Sequence, residues 1–158
     1  MTPVAPDPFR ETLKKFATGV TVITTAHDGE MHGLTASSFA SVSVDPPLIL
    51  VVLNTESRTY SLLTRSKSFG VSILGEGAEE TAKSFAQKGD KPFTQLGHHL
   101  TSGGAPILDE AIAWLECSVE ETFAGGTHEI VVGRVEASGT GPGRPLVYFE
   151  RGYRSLSE

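Results

Sequence analysis

Cysteine occurs once in this chain of 158 residues, at Cys117, so no disulfide can form within it and a reducing cytoplasm is the expected compartment. No apolar run approaches the ~20 residues that cross a bilayer. Met1 to Pro8, with three prolines, lacks the apolar core of a signal peptide. Positive charge is scarce as well: 13 Lys and Arg stand against 19 Asp and Glu, a net charge of -6. That balance argues against nucleic acid or an anionic membrane as the main partner, because both are bound by basic surfaces. An anionic ligand therefore has to be held by local donors. No Gly-x-Gly-x-x-Gly lies between a strand and a helix, and no loop ends in Gly-Lys-Ser/Thr, which removes the common nucleotide cradles. No cysteine pair and no His-x-x-x-His offers a metal site, and the side chains of adjacent His98 and His99 diverge, so both read as solvated loop residues.

What remains is an ordinary folded composition, 39% hydrophobic and 20% charged, of one domain's length. The whole chain, 1–158, reads as a single domain, with 1–8 as a flexible arm. Asp7-Pro8-Phe9 predicts a helix start with Asp7 as N-cap, and Phe9, Leu13 and Phe16 follow at the spacing of one docking stripe, ended by Gly19. Val20 to Thr25 is β-branched throughout and predicts a strand. His27-Asp28-Gly29-Glu30 predicts a hairpin turn, since Asp-Gly accepts the positive φ angles required.

The returning stretch, Gly33 to Pro47, has an unusual pattern. Read as one strand, it puts Thr35, Ser37, Ser41 and Ser43 on one face and Ala36, Ser38, Ala40, Val42 and Val44 on the other. Small side chains of this kind let a flat ligand approach the backbone. Asp45-Pro46-Pro47 ends the strand, and Leu48 to Leu53 predicts a fully buried one. Ser57 caps a short helix reaching Arg65. Phe69 to Leu74 is a strand, and Glu76 to Gln87 a helix with Ala78, Ala82, Phe85 and Ala86 inward and an outward Glu79–Lys83 pair. Lys88 to Pro106 reads as a long loop, the kind that is usually functional or mobile. Ala113, Leu115, Cys117 and Val119 form the buried face of a strand, where Cys117 is a filler rather than a nucleophile. Gly125-Gly126 turns the chain into a strand from Glu129 to Ala137, and short strands around Arg151-Gly152 close it. Six or seven strands with two or three short helices predict a mainly β, closed or nearly closed antiparallel barrel with the helices outside.

Beyond the small polar strand, two clusters could carry chemistry. In Asn54 to Thr59, hydroxyls, a guanidinium and a helix N-terminus converge, an arrangement that favours phosphate. His128 follows the Gly125-Gly126 turn and is placed to lean over a barrel mouth. Simple capping and a simple turn residue are the alternative readings.

Taken in order, these segments resemble the short-chain flavin reductases, the FMN-binding split-barrel reductases of two-component monooxygenases. The resemblance rests on Phe16-Ala17-Thr18-Gly19-Val20-Thr21-Val22-Ile23-Thr24 and on Gly33-Leu34-Thr35-Ala36-Ser37-Ser38-Phe39 through Asp45-Pro46-Pro47-Leu48. It continues through Asn54 with Ser57, Phe85-Ala86, Leu115-Glu116-Cys117 and Gly126-Thr127-His128 to Gly152-Tyr153-Arg154. It implies a six-stranded antiparallel split barrel, a homodimer, and flavin (FMN or FAD) in a groove beside the subunit interface. It assigns Thr35, Ala36, Ser37 and Ser38 to the polar edge of the flavin ring, and Asn54, Ser57 and Thr59 to the ribityl chain and phosphate. Phe85 and the loop bearing Lys88 and Lys91 would cover the phosphate, while His128, Tyr153 and Arg154 would line the side taken by nicotinamide from NADH or NADPH. Thr127 stands where the family commonly has an acid. The implied reaction is hydride transfer from nicotinamide to flavin, with orientation and electrostatics supplied by the protein and the product passed to a partner monooxygenase. His128 is the one candidate catalytic residue. A non-catalytic flavin binder and a related flavin-dependent oxidase are the rival readings.

Overall fold

The computed structural model describes residues 1–157. Helix α1 (Pro6–Leu13) and the short β1 (Thr18–Gly19) lead into a hairpin of β2 (Thr21–His27) and β3 (Glu30–Ala36). Then come β4 (Phe39–Ser43), β5 (Leu48–Asn54), α2 (Arg58–Ser66), β6 (Ser68–Leu74) and α3 (Glu79–Ala86). After the small strands β7 (His98–Leu100) and β8 (Pro106–Leu108), the chain forms its longest hairpin, β9 (Ala111–Gly125) with β10 (His128–Thr140), and ends in β11 (Val147–Phe149) and β12 (Gly152–Arg154).

The main sheet has seven antiparallel strands in the order β3-β2-β6-β9-β10-β5-β4. This corrects the expected six-stranded barrel. The edges β3 and β4 are consecutive in the chain yet do not pair, so the sheet curls without closing. The terminal strands do not join it either: β11 pairs with β1 and β12 in a separate three-stranded sheet, and β7 pairs with β8. Among the described residues no helix is long and apolar enough to cross a membrane.

Two apolar clusters hold the layers. Inside the curl, Ile23, Val51, Phe69, Val71, Cys117 and Val131 are buried together. On the outer face, Val22, Leu74, Ala82, Phe85, Phe93 and Leu146 pack α3 and the chain after it onto the sheet. Gly133 is required in the first cluster, because an added Cβ would lie 2.5 Å from Phe69 Cζ. Asp28 (φ 50°) and Gly29 (φ 79°) take the positive angles foreseen for their turn.

Several local expectations need correction. Helix α1 starts at Pro6, inside the 1–8 stretch, with Ala5 as its N-cap, and Asp7 instead pairs with Arg10 at 3.1 Å. Its stripe does not dock: Phe9, Leu13 and Phe16 are all exposed. The stretch from Gly33 to Pro47 is two strands broken at Ser37-Ser38, so the alternation assumed across it does not hold. The helix expected over 76–87 is shorter, Ala86 is exposed, and Lys83 pairs with Glu80 rather than Glu79. The long loop contains β7 and a buried Phe93. His98 and His99 lie in β7, and His99 Nδ1 meets Asp109 Oδ1 at 2.8 Å.

Candidate functional site

A groove of about 720 Å³ runs along the break between β3 and β4, over β5, and up to the N-terminus of α2. The break shapes it. At Ser37-Ser38 the chain leaves β3 for β4, and Ser38 is fastened to β5 from both sides: its hydroxyl donates to Val52 O at 2.9 Å, and Val52 N–H donates to Ser38 O at 3.3 Å. Ser37, exposed at the groove, keeps its hydroxyl free among the described residues. Thr35 points the other way and donates to Ala82 O of α3 at 2.6 Å. Ala36 is buried. Strand β3 has a ladder partner on one side only, so alternate backbone groups along its groove edge are left for a ligand. The shelf therefore offers backbone, one methyl and one free hydroxyl rather than a row of hydroxyls.

At the far end, the turn from β5 into α2 is built by its own side chains. Asn54 Oδ1 accepts from Glu56 N–H at 2.8 Å, which leaves the amide NH₂ free to donate. Ser57 caps α2 by accepting from Tyr60 N–H at 3.1 Å. The N–H groups of Arg58 and Thr59, in the first turn of this nine-residue helix, have no backbone acceptor among the described residues and lie at the groove. The helix dipole adds to their attraction for an anion. The Thr59 side chain is fully buried and is held by His32, so it offers the groove no hydroxyl.

The cations sort themselves by partner. The Arg58 guanidinium donates to Glu30 Oε1 and to Asp90 Oδ1, both at 2.8 Å. These two carboxylates raise its already high pKa. Lys91 Nζ donates to the carbonyls of Phe85, at 3.0 Å, and Gln87, closing the C-terminus of α3, and its burial lowers the ammonium pKa. Lys88 has no ion-pair partner among the described residues and is exposed at the groove. Phe85 lines the groove from below, fully buried and edge-on to Phe93 with centroids 5.4 Å apart.

His128 closes the groove from the β9–β10 hairpin. It lies opposite Asn54 in the β5–β10 register. Thr55 ties the two turns together, with both its N–H and its hydroxyl donating to Thr127 O at 3.2 Å. The Thr127 hydroxyl lies 2.9 Å from His128 Nδ1, so a neutral hydroxyl stands beside the imidazole. Nε2 has no partner among the described residues.

Ten sequence-predicted residues and His128 thus border one groove. Tyr153 and Arg154 do not. Tyr153 packs on Tyr148 with centroids 5.5 Å apart, and Arg154 donates to Tyr153 O, in the separate small sheet. Sequence reasoning missed His32, which is 6% exposed and borders the same groove. A second hollow of about 440 Å³, bordered by Leu13, Phe16, Tyr148 and Phe149, meets the first at Ser37-Ser38.

Residues 13–157 match the family model described as "Flavin reductase like domain". The chain belongs to the flavin reductase-like family. It is 39% identical over 141 residues to the reductase component of a 4-nitrophenol 4-monooxygenase/4-nitrocatechol 2-monooxygenase from Rhodococcus opacus, covering 89% of this chain and 76% of that one. It is 38% identical over 149 residues to the NADH-dependent flavin reductase StyB of Pseudomonas fluorescens, covering 92% and 86%. Among solved structures, the Streptomyces globisporus NADH:FAD oxidoreductase SgcE6 in complex with NAD and FAD fragments superposes with a TM-score of 0.91 at 33% identity, over 99% of this chain and 98% of that one.

Proposed function

We propose that this protein is an NAD(P)H-dependent flavin reductase that supplies reduced FMN or FAD to a separate monooxygenase. The single observation that carries the reading is the groove itself, in which a shelf of backbone and small side chains meets a helix N-terminus and an unpaired lysine. Those are the two chemistries a flavin phosphate ester presents, a flat polar-edged ring and an anion, and the residues present fit both. The names of the relatives support NADH as the donor and a two-component monooxygenase as the setting.

When bound, the flavin would supply the acceptor for a hydride from nicotinamide. The chain's own residues do the rest. The Thr35–Ser38 segment seats the ring, with backbone donors of β3 and the Ser37 hydroxyl facing its polar edge. Such fixed donors favour the negative charge that reduction places on the ring. Asn54 Nδ2, the amides of Arg58 and Thr59, and Lys88 hold the ribityl chain and phosphate. His128, steered by Thr127, positions the nicotinamide with its free Nε2. Bringing the two rings to ~3–3.5 Å is the main catalytic contribution, and no side-chain nucleophile is needed. Tyr153 and Arg154 are left out of this assignment.

An oxidase acting on a doubly anionic substrate would need further free cations at the groove, but of the three that line it Arg58 and Lys91 are engaged and only Lys88 is unpaired among the described residues. The exposed Phe9, Leu13 and Phe16 beside the second hollow support a homodimer joined there. The test is to follow the nicotinamide absorbance band with FMN or FAD present. Wild type oxidises NADH and His128→Ala does so at least about tenfold more slowly at nearly unchanged flavin affinity. Binding without turnover in the wild type would leave a flavin carrier instead.

A further inference from the structure

The two parts of the groove that face an anion lie on different elements. One is the first turn of α2, the other the segment after α3 that carries Lys88. They are joined at a buried imidazole. His32 Nε2 lies 3.0 Å from the carbonyl of Gly89, the residue after Lys88, and Nδ1 lies 2.8 Å from the hydroxyl of Thr59, the second residue of α2. A carbonyl only accepts, so Nε2 carries the proton and donates, and in the neutral ring Nδ1 accepts from Thr59.

We propose that His32 is a positioning residue that clasps Lys88 and the α2 amides around the flavin phosphate, a role that rests on the flavin reading above. Both ring nitrogens are occupied, so His32 presents nothing to the ligand and acts through its neighbours. The segment has two other ties: Lys91 Nζ donates to the carbonyls of Phe85 and Gln87 and so holds it to the end of α3 rather than to α2, while the second link to α2, Arg58 with Asp90, is at the surface with both side chains in solvent. Exposed pairs of this kind fix geometry weakly. The His32 ring and its Thr59 partner are buried and the Gly89 contact is half-buried; losing them orphans a buried hydroxyl and frees Gly89 (φ 97°), whose left-handed backbone turns the segment at the groove. The flavin ring, seated on 35–38, does not depend on the clasp. The phosphate does.

The discriminating pair of ligands is FMN and riboflavin, which differ by the phosphate alone, titrated by flavin fluorescence against the wild type, His32→Leu and His32→Gln. For His32→Leu the Kd for FMN rises about tenfold while that for riboflavin stays within about twofold. The Gln side chain reaches the Gly89 carbonyl and restores most of the FMN affinity. If His32→Leu does not fold, His32→Asn, whose shorter amide reaches only Thr59, shows the selective loss in its place. Equal weakening of both flavins, unchanged FMN affinity, or equal FMN binding by the Asn and Gln variants overturns the clasp. A wild type that binds neither flavin refutes the reading of the groove, and the clasp with it.

Discussion

Replacing Gly33 with alanine adds one carbon where β3, β2 and α3 already touch. That Cβ would lie 2.9 Å from Ile23 O, 3.0 Å from Phe85 Cε1 and 3.1 Å from Phe85 Cδ1. Ile23 is in the paired strand β2, so its carbonyl cannot retreat without opening the ladder. The Phe85 ring is fully buried and braced edge-on by Phe93, so it moves only if α3 moves with it. Overpacking of this kind costs about 1–3 kcal/mol, offset by the roughly 0.5–1 kcal/mol an alanine gains over glycine in a strand interior. The midpoints of the two ranges leave a net loss of about 1 kcal/mol. At about 2–4 °C per kcal/mol for a chain of this size, thermal unfolding by circular dichroism falls by roughly 2–4 °C. The shift reaches the groove as well, because Thr35 is bonded to Ala82 of α3 and Lys91 to the carbonyls at that helix's end. FMN affinity falls with stability. An unchanged or raised Tm would refute the reasoning about this approach of β3 to α3.

Three further outcomes are expected. Glu116 is 4% exposed and accepts from the hydroxyls of Thr101 and Ser102 and from Gly103 N–H, so Glu116→Ala leaves these donors without their acceptor and costs about 1–3 kcal/mol by urea unfolding; wild-type stability contradicts this. The Cys117 thiol, buried and pushed up to about 12 by desolvation, resists thiol reagents in the native protein at mildly alkaline pH and reacts only on unfolding; rapid native labelling contradicts its burial. Burial lowers the His32 pKa below 6.5, so the unfolded chain takes up its proton first, and the stability His32 contributes is complete above that value and lost as pH falls from it towards the native value. Urea titrations across this range show a shallower acid limb for His32→Gln, and identical limbs contradict the assignment.

What the sequence revealed was decided locally. Asp28-Gly29 and Ser57 are a turn and a cap whose chemistry lies within a few residues, and both formed as read. The six-residue apolar run became β5, though only Ile49, Val51 and Leu53 are buried while Leu48, Leu50 and Val52 are half-buried, so the strand is not the fully buried one expected. Misreadings arose where distant segments decide. The alternation through Ser37-Ser38 looks continuous, but the Ser38–Val52 bonds across the sheet break it into two strands. Glu116 sits on a strand's nominally open face and is buried because the turn between β7 and β8 folds over it. Phe9 and Leu13 have a helical stripe and no surface of this chain to cover it. His32 gave no signal at all: its partners lie 27 and 57 residues away. The site was legible as a set of segments, while the division of work within it was not, since Thr35, Thr59 and Lys91 spend their polar groups on the protein itself.

The shelf at 35–38 is tested most directly by filling it. Ser37 is exposed and its hydroxyl has no partner among the described residues, so Ser37→Leu breaks no bond of the fold and fills the shelf where the groove meets the second hollow. Titrated with riboflavin, which has no phosphate to rescue it, Ser37→Leu is predicted to lose at least about tenfold in affinity, some 1.4 kcal/mol, at unchanged Tm. Riboflavin binding equal to that of the wild type would contradict the account.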